Sequence, residues 1–251
     1  MSQLPLEVSA ALRAAAQAPE LLVACDFDGT MAPIVSHPPD ARPLPAAAAA
    51  LQALAELPRT TAALVSGRAL TDLARLSGMP PTVQLVGSHG AEFNTGFIRD
   101  IDADALATIK SELTAIAARH PGVTVEPKLA SVALHVRNAT PEDGAAALAA
   151  AEAAAKFWDA EATAGKAVLE FAVITTDKGE ALDILRERAG ATAVIYFGDD
   201  VTDEKAFRRL RDGDVGIKVG PGDTLAGYRI DAPTDVSTSL ELLLAERRSA
   251  S

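Results

Sequence analysis

At 251 residues the chain carries enough apolar material for one large domain or two modest ones, and disorder is not its expected state. Its 34 acidic against 23 basic side chains, a formal net charge of −11, exclude general attraction to nucleic acid or to an anionic membrane surface, so any anion it handles has to be caught locally. Aromatics are few and alanine is abundant, which suits helices packed on a sheet, and the class this predicts is α/β.

The opening MSQLPLEVSAALRAAAQAPE has no basic segment followed by an uninterrupted apolar core, and no later stretch reaches about 18 consecutive apolar residues. The expectation is a soluble cytoplasmic protein, acting as a monomer. The one cysteine, Cys25, lies inside an apolar run and reads as a small core residue.

In chain order, four short apolar runs mark strands: LLVAC to Cys25, TAALV to Val65, VQLV to Val86 and AVIYF to Phe197. Strands that are apolar throughout are buried on both faces, as a parallel sheet covered by helices requires. Each run is followed by a polar segment, DFDGT, SGR, GSHGAE and GDDVTDE respectively. In open α/β sheets ligands bind outside the carboxyl ends of the strands, so these four segments are expected to meet at one crevice.

Between about Asp102 and Thr175 the pattern becomes helix, hairpin, helix, hairpin. Residues 102–175 therefore read as an inserted α/β cap, with 1–101 and 176–251 forming the core. In the first hairpin a two-residue turn at Leu129 and Ala130 pairs Lys128 with Ser131 and puts Glu126, Lys128, His135 and Arg137 on one face, with Val132, Leu134 and Val136 on the other. Glu170 leaves the apolar face of its strand and is expected on the same polar surface.

Two carboxylates one residue apart, Asp26 and Asp28, repel each other, and a fold keeps such a pair where a cation or a chemical task accounts for it. Asp199, Asp200 and Asp203 follow another strand to the same edge, and five acids there require a cation. Hard oxygen ligands without a His or Cys cluster suit magnesium; structural calcium is the alternative, but the spacing is not that of an EF-hand loop. Lys178 opens a helix, and Ser66 and Arg68 follow a strand, which supplies groups for a phosphate. Carboxylates, magnesium, a hydroxyl and a lysine around one point describe phosphoryl transfer through an aspartyl-phosphate.

DFDGT, SGR, the lysine of DKG and GDDVTD, in that order, resemble the four motifs of the haloacid dehalogenase superfamily, which implies a Rossmann-like parallel core. Within it GSHGAE, VEPKLASVALHVR and GDDVTDE resemble the trehalose-6-phosphate phosphatase family, which implies hydrolysis of that sugar phosphate as the last step of trehalose synthesis. Two departures are Met31, where that family often has leucine, and FAVITT, where an arginine–proline pair often follows the cap glutamate. The resemblance implies that Asp26 is the nucleophile, Asp28 the acid/base and Lys178 the phosphate-holding lysine. It places a magnesium ion at Asp26, Asp28, Asp199, Asp200 and Asp203, and substrate contacts at Ser66, Arg68, His89, Glu92, Glu126, Lys128 and Glu170. Ion-pair or strand-face roles stand beside ligand contact for His135 and Arg137. The alternatives are a related capped sugar phosphatase (for sucrose 6-phosphate, mannosylglycerate phosphate or a hexose phosphate) and a sugar-phosphate sensor without turnover.

Overall fold

The computed structural model describes residues 4–98, 101–165, 167–174 and 176–250. The chain divides into two compact units, Met1–Ile98 with Thr176–Ser251, and Arg99–Thr175. In chain order the first unit begins with α1 (Leu6–Ala15), β1 (Leu21–Cys25), α2 (Pro45–Ala55), β2 (Thr60–Val65), α3 (Leu70–Ser77), β3 (Gln84–Gly87), β4 (Glu92–Phe93) and β5 (Gly96–Phe97). The second unit is α4 (Ala103–Ala117), β6 (Thr124–Pro127), β7 (Ser131–His135), α5 (Pro141–Ala155), β8 (Glu161–Gly165) and β9 (Val168–Ala172). The first unit then resumes with α6 (Lys178–Ala189), β10 (Ala193–Gly198), α7 (Asp203–Arg208), β11 (Val215–Val219), β12 (Tyr228–Ile230) and α8 (Pro233–Ala250).

In the first unit one sheet runs β12-β11-β10-β1-β2-β3-β4-β5, parallel from β12 to β3 and antiparallel only at β4 and β5. The apolar runs are central strands with a core on each face. Leu21, Val23 and Cys25 of β1 join a cluster containing Leu12, Leu51, Leu240 and Leu243, while Leu22 and Ala24 join Leu182, Leu185, Tyr196 and Phe207 on the other side. Helices therefore cover both faces, which is what parallel pairing of fully buried strands demands. From β1 the chain steps outward to β2 and from β10 it steps the opposite way to β11, so the strand order reverses between β1 and β10. A crevice opens at such a reversal, beyond the carboxyl ends of the two strands.

Arg247 of α8 is 3% exposed and locks this helix to the start of the sheet. Its guanidinium donates to the carbonyls of Ala16, Ala18 and Arg59 and to the Thr60 hydroxyl, serving the chain just before β1 and β2. Five fixed donors on one planar group are what such a many-sided contact needs.

The second unit is a four-stranded antiparallel sheet in the order β6-β7-β9-β8, with α4 and α5 on one face. Asp102 caps α4 through Ala105 N–H and Thr140 caps α5 through Asp143 N–H, satisfying donors that a helix start leaves over. Ile109, Leu113, Val132, Leu134, Ala147, Leu169 and Phe171 form its core, and Trp158 meets Phe171 edge to face at 4.9 Å. Register follows the hairpin read from the sequence: Thr124 faces His135, Glu126 faces Ala133, and Lys128 N–H donates to the Ser131 carbonyl at 2.8 Å. Ala133 in turn faces Glu170, which puts Glu126, Lys128, His135 and Glu170 on one face. Arg137 departs from the expectation. The same register would pair it with Gly122, but Gly122 sits in a turn at φ +84°, so β7 ends at His135 and Arg137 lies exposed in the following turn.

Among the described residues no helix is long and apolar enough to cross a membrane.

Replacing Arg247 with methionine keeps the buried stem but takes the guanidinium from the Ala16 and Ala18 carbonyls and leaves Arg59 only its bond from Leu21 N–H, and should lower unfolding free energy by roughly 2–4 kcal/mol. Urea unfolding followed by circular dichroism checks this; an unchanged midpoint would show that water replaces the guanidinium at no cost.

Candidate active site

The site is assembled at the reversal between β1 and β10. Asp26 continues the ladder past β1, its N–H donating to the Phe197 carbonyl at 2.9 Å, and its side chain is 6% exposed. Lys178, at the first position of α6, lies 2.8 Å from Asp26 Oδ1 and 2.9 Å from Asp203 Oδ1 and is 3% exposed. A lysine there opposes the helix dipole; Asp177, the N-cap, accepts from the Gly179 and Glu180 N–H groups and offsets it.

Asp203 is fully buried and fully engaged. Its Oδ1 accepts from Lys178 and from the Tyr196 hydroxyl at 2.7 Å, and its Oδ2 accepts the N–H groups of Asp199 and Asp200 at 3.0 and 2.9 Å. The carboxylate thus shapes the loop after β10. Gly198 has no room for a side chain, since a Cβ there would lie 2.4 Å from the Asp203 carboxyl carbon.

Asp26, Asp199 and Asp203 offer oxygen atoms within 4.8 Å of one another. Asp199 is held by the Thr30 hydroxyl at 3.3 Å, and a Cβ on Gly29, at φ +81°, would sit 2.0 Å from its Oδ2. Only glycine serves at that position, on both counts. Burial pushes the Asp26 carboxyl well above the usual carboxylate range; Lys178 pulls it back, while Asp203 and Asp199 add to the rise. Burial, then Asp203, does the same to Asp199. For Lys178 burial works against the charge, but Asp26 and Asp203 outweigh it and hold the ammonium protonated. Three carboxylates face one ammonium, so the cluster is short of positive charge. Its donors are all hard oxygens, as a divalent cation such as magnesium or calcium prefers.

Asp28 is placed differently from the other acids. Arg68 grips it in a two-pronged pair, Nε to Oδ2 and Nη2 to Oδ1, both 2.6 Å, and that hydrogen bonding raises the arginine's own pKa. Asp200 is exposed, and its Oδ1 accepts the Val201 N–H at 2.6 Å; neither carboxylate joins the triad. Ser66 lies buried just past β2, with Oγ accepting the Arg68 N–H at 3.2 Å. His89 adopts φ +55° in the turn after β3, its ring against Gly67, where a Cβ would lie 2.4 Å away. Glu92 works inward: its Oε2 accepts the Leu70 N–H that opens α3 and the Ser88 hydroxyl, both at 2.8 Å.

In the second unit Glu170 accepts from Lys128 Nζ and the Ser131 hydroxyl, both at 2.6 Å, and His135 Nε2 lies 2.7 Å from Glu126 Oε2. The polar sheet face is thus a row of paired polar side chains.

Four contributors were not picked out from the sequence. Thr30 and Gly29 stand inside DFDGT, where the aspartates draw attention. Tyr196 and Lys218 are polar ends inside apolar strands, AVIYF and VGIKV, and that interruption of a buried run was the available signal.

A family model described as trehalose-phosphatase matches residues 24–232. The chain is 35% identical over 239 residues to a trehalose-phosphate phosphatase of Mycobacterium avium, covering 87% of this chain and 60% of that protein. It is 35% identical over 232 residues to a trehalose-6-phosphate phosphatase of Escherichia coli, covering 87% and 84%. It thus spans about three-fifths of the mycobacterial relative. Of solved structures, Aspergillus fumigatus trehalose-6-phosphate phosphatase superposes with a TM-score of 0.74 at 27% identity, over 97% of this chain and 99% of that one.

Lys178→Met should leave Asp26 and Asp203 buried without a counter-charge and cost about 3–5 kcal/mol at neutral pH. Because the Asp26 titration is already raised, protonation as the pH falls removes the uncompensated charge, so the deficit should shrink in acid and persist in alkali. Unfolding curves in chelator across pH 5–9 read this out; a deficit independent of pH would mean that lost packing, not lost charge, sets the cost.

Proposed function

Since the chain belongs to the trehalose-phosphatase family, we propose that it hydrolyses trehalose 6-phosphate to trehalose and phosphate through an aspartyl-phosphate, with magnesium bound. The observation that carries this reading is the buried cluster of Asp26, Asp199, Asp203 and Lys178 beyond β1 and β10. An anionic nucleophile and an anionic substrate need fixed positive charge and preorganised donors to approach each other.

Asp26 and Asp199 would hold magnesium through side-chain oxygens and Asp28 through its backbone carbonyl, with Asp200 and Asp203 supporting the loop that presents Asp199. Bound there, magnesium supplies screening of the phosphate and stabilises charge on the transferred group. The Asp26 carboxylate attacks phosphorus as the bond to the sugar oxygen breaks, and Asp28 gives that oxygen its proton. A water then attacks the aspartyl-phosphate while Asp28 takes its proton, and phosphate leaves with Asp26 restored. Lys178 and Ser66 hold the phosphoryl oxygens. Arg68 orders the crevice through its two-pronged hold on Asp28. His89 borders the crevice, and Glu92 keeps the turn around it in shape.

Sugar recognition we assign to the polar face of the second unit, acting as a cap. Glu126, Lys128 and Glu170 present acceptors and an ammonium in one row, suited to the hydroxyls of a disaccharide. The cytoplasm is the proposed place of the reaction, and a sugar-phosphate substrate supports it.

Phosphate release from a panel of sugar phosphates, with magnesium and with chelator, tests the reading. Trehalose 6-phosphate should rank among the best substrates and chelator should stop turnover; a panel led by another sugar phosphate would overturn the narrow assignment. Asp26→Asn should lower kcat on the order of 10³-fold or more while the protein still binds substrate. Glu126→Ala or Lys128→Ala should raise KM for the disaccharide and leave a small phosphate ester unaffected; equal losses on both would assign these residues to structure.

A further inference from the structure

Lys218 is 4% exposed, in the middle of a fully buried strand, and lysine is almost never so buried without a specific partner. Its register partner on β10 is Gly198, which brings its side chain to the loop carrying Asp199. There its Nζ donates to the Asp199 carbonyl. The nearest carboxylate oxygen, Glu204 Oε1, is 3.9 Å away, beyond hydrogen-bond reach, and accepts no hydrogen bond. Glu204 is anchored elsewhere, Oε2 accepting the Leu225 N–H at 2.7 Å. Glu204 is thus a loose ion-pair partner, and the hydrogen bond of the lysine goes to a peptide group.

That peptide group is the one that aims Asp199. Its carbonyl end is held by Lys218 and its N–H end, on Asp200, by Asp203 Oδ2 at 2.9 Å. The preceding peptide is held through the Asp199 N–H on the same oxygen at 3.0 Å. Both peptide planes that flank the Asp199 α-carbon are thus pinned, and with them the direction of its carboxylate toward Thr30 and the triad.

We infer that Lys218 is a positioning residue for cation binding: from β11 it fixes the backbone of Asp199 so that this carboxylate stands ready to take a divalent ion. The inference rests on the reading of Asp26 and Asp199 as cation ligands. Groups behind a ligand commonly change metal affinity by about 10- to 100-fold when removed.

The sign separates positioning from simple charge. A lysine near a cation site repels the cation, so deleting it as a charge alone would tighten binding; deleting a positioning group weakens it. The full chain, stripped of metal, is titrated with manganese chloride and free manganese is read by electron paramagnetic resonance. Lys218→Met should weaken binding about tenfold or more. Lys218→Gln, whose shorter side chain falls short of the Asp199 carbonyl, should do likewise and serves if the methionine variant does not fold. Lys218→Arg, which keeps the donor, should restore most of the affinity. Folded Met or Gln variants that bind manganese as tightly as the wild type, or more tightly, would overturn the role of Lys218. A wild-type chain that binds no manganese would instead defeat the cation-site reading and the inference with it.

Discussion

The structure is organised around one ammonium ion in its interior. Lys178 sits among Asp26 and Asp203 with almost no solvent access, where an unpaired charge of either sign would be costly. The neighbours are arranged to make that tolerable. The Tyr196 hydroxyl and two backbone N–H groups complete Asp203, and Asp177 caps the helix that carries the lysine. Strand β1, strand β10, helix α6 and helix α7 each contribute a member, so the cluster forms only when all four are in place. Even so the charges do not balance: the acids exceed the ammonium, and burial first, then the neighbouring acids, raises the titration of Asp26 and Asp199. A cation-binding site of this kind is a fold that has left its last charge to be supplied from outside.

Two neighbouring aspartates in one turn end up in opposite surroundings. Asp26 is buried against a lysine and two more acids, whereas Asp28, with a third of its side chain exposed, meets a guanidinium in fork geometry. Similar groups pushed apart by environment can take different parts in one reaction. The backbone does this sorting: the buried Phe27 separates the two aspartates, and the chain turns at Gly29 directly after Asp28.

Much of this was legible in the residues. Five-residue apolar runs such as LLVAC could only be central strands, and they are. The first hairpin of the second unit was fixed to the residue, because a two-residue turn and an alternating face leave one register, and Glu126, Lys128, His135 and Glu170 fall together accordingly. Arg137 escaped because the strand was extended past the point where its partner chain turns at Gly122. In the core the limits were of another kind. Spacing could bring five acids to one edge but could not say which oxygens would be consumed internally, and Asp203 proves to hold the loop with Oδ2 while Oδ1 is taken by Lys178 and Tyr196. Nor could it show that Arg68 would meet Asp28, since that pair joins residues 40 apart through the β1–β2 adjacency. Lys218 stayed hidden because its meaning is a backbone carbonyl, and carbonyls leave no trace in a sequence.

Gly29, Gly198 and Gly179 touch the site with atoms they lack. Asp199 occupies the space of the first, Asp203 that of the second, and the backbone of Lys205 that of the third. In most folds a glycine outside a turn is a place where alanine would stiffen the chain and gain stability. Here those positions are closed to that route, because the missing methyl groups are the room in which the carboxylates and α7 stand. At these three positions the usual gain from glycine to alanine is therefore withheld, and the backbone freedom of glycine is kept where the carboxylates need the room.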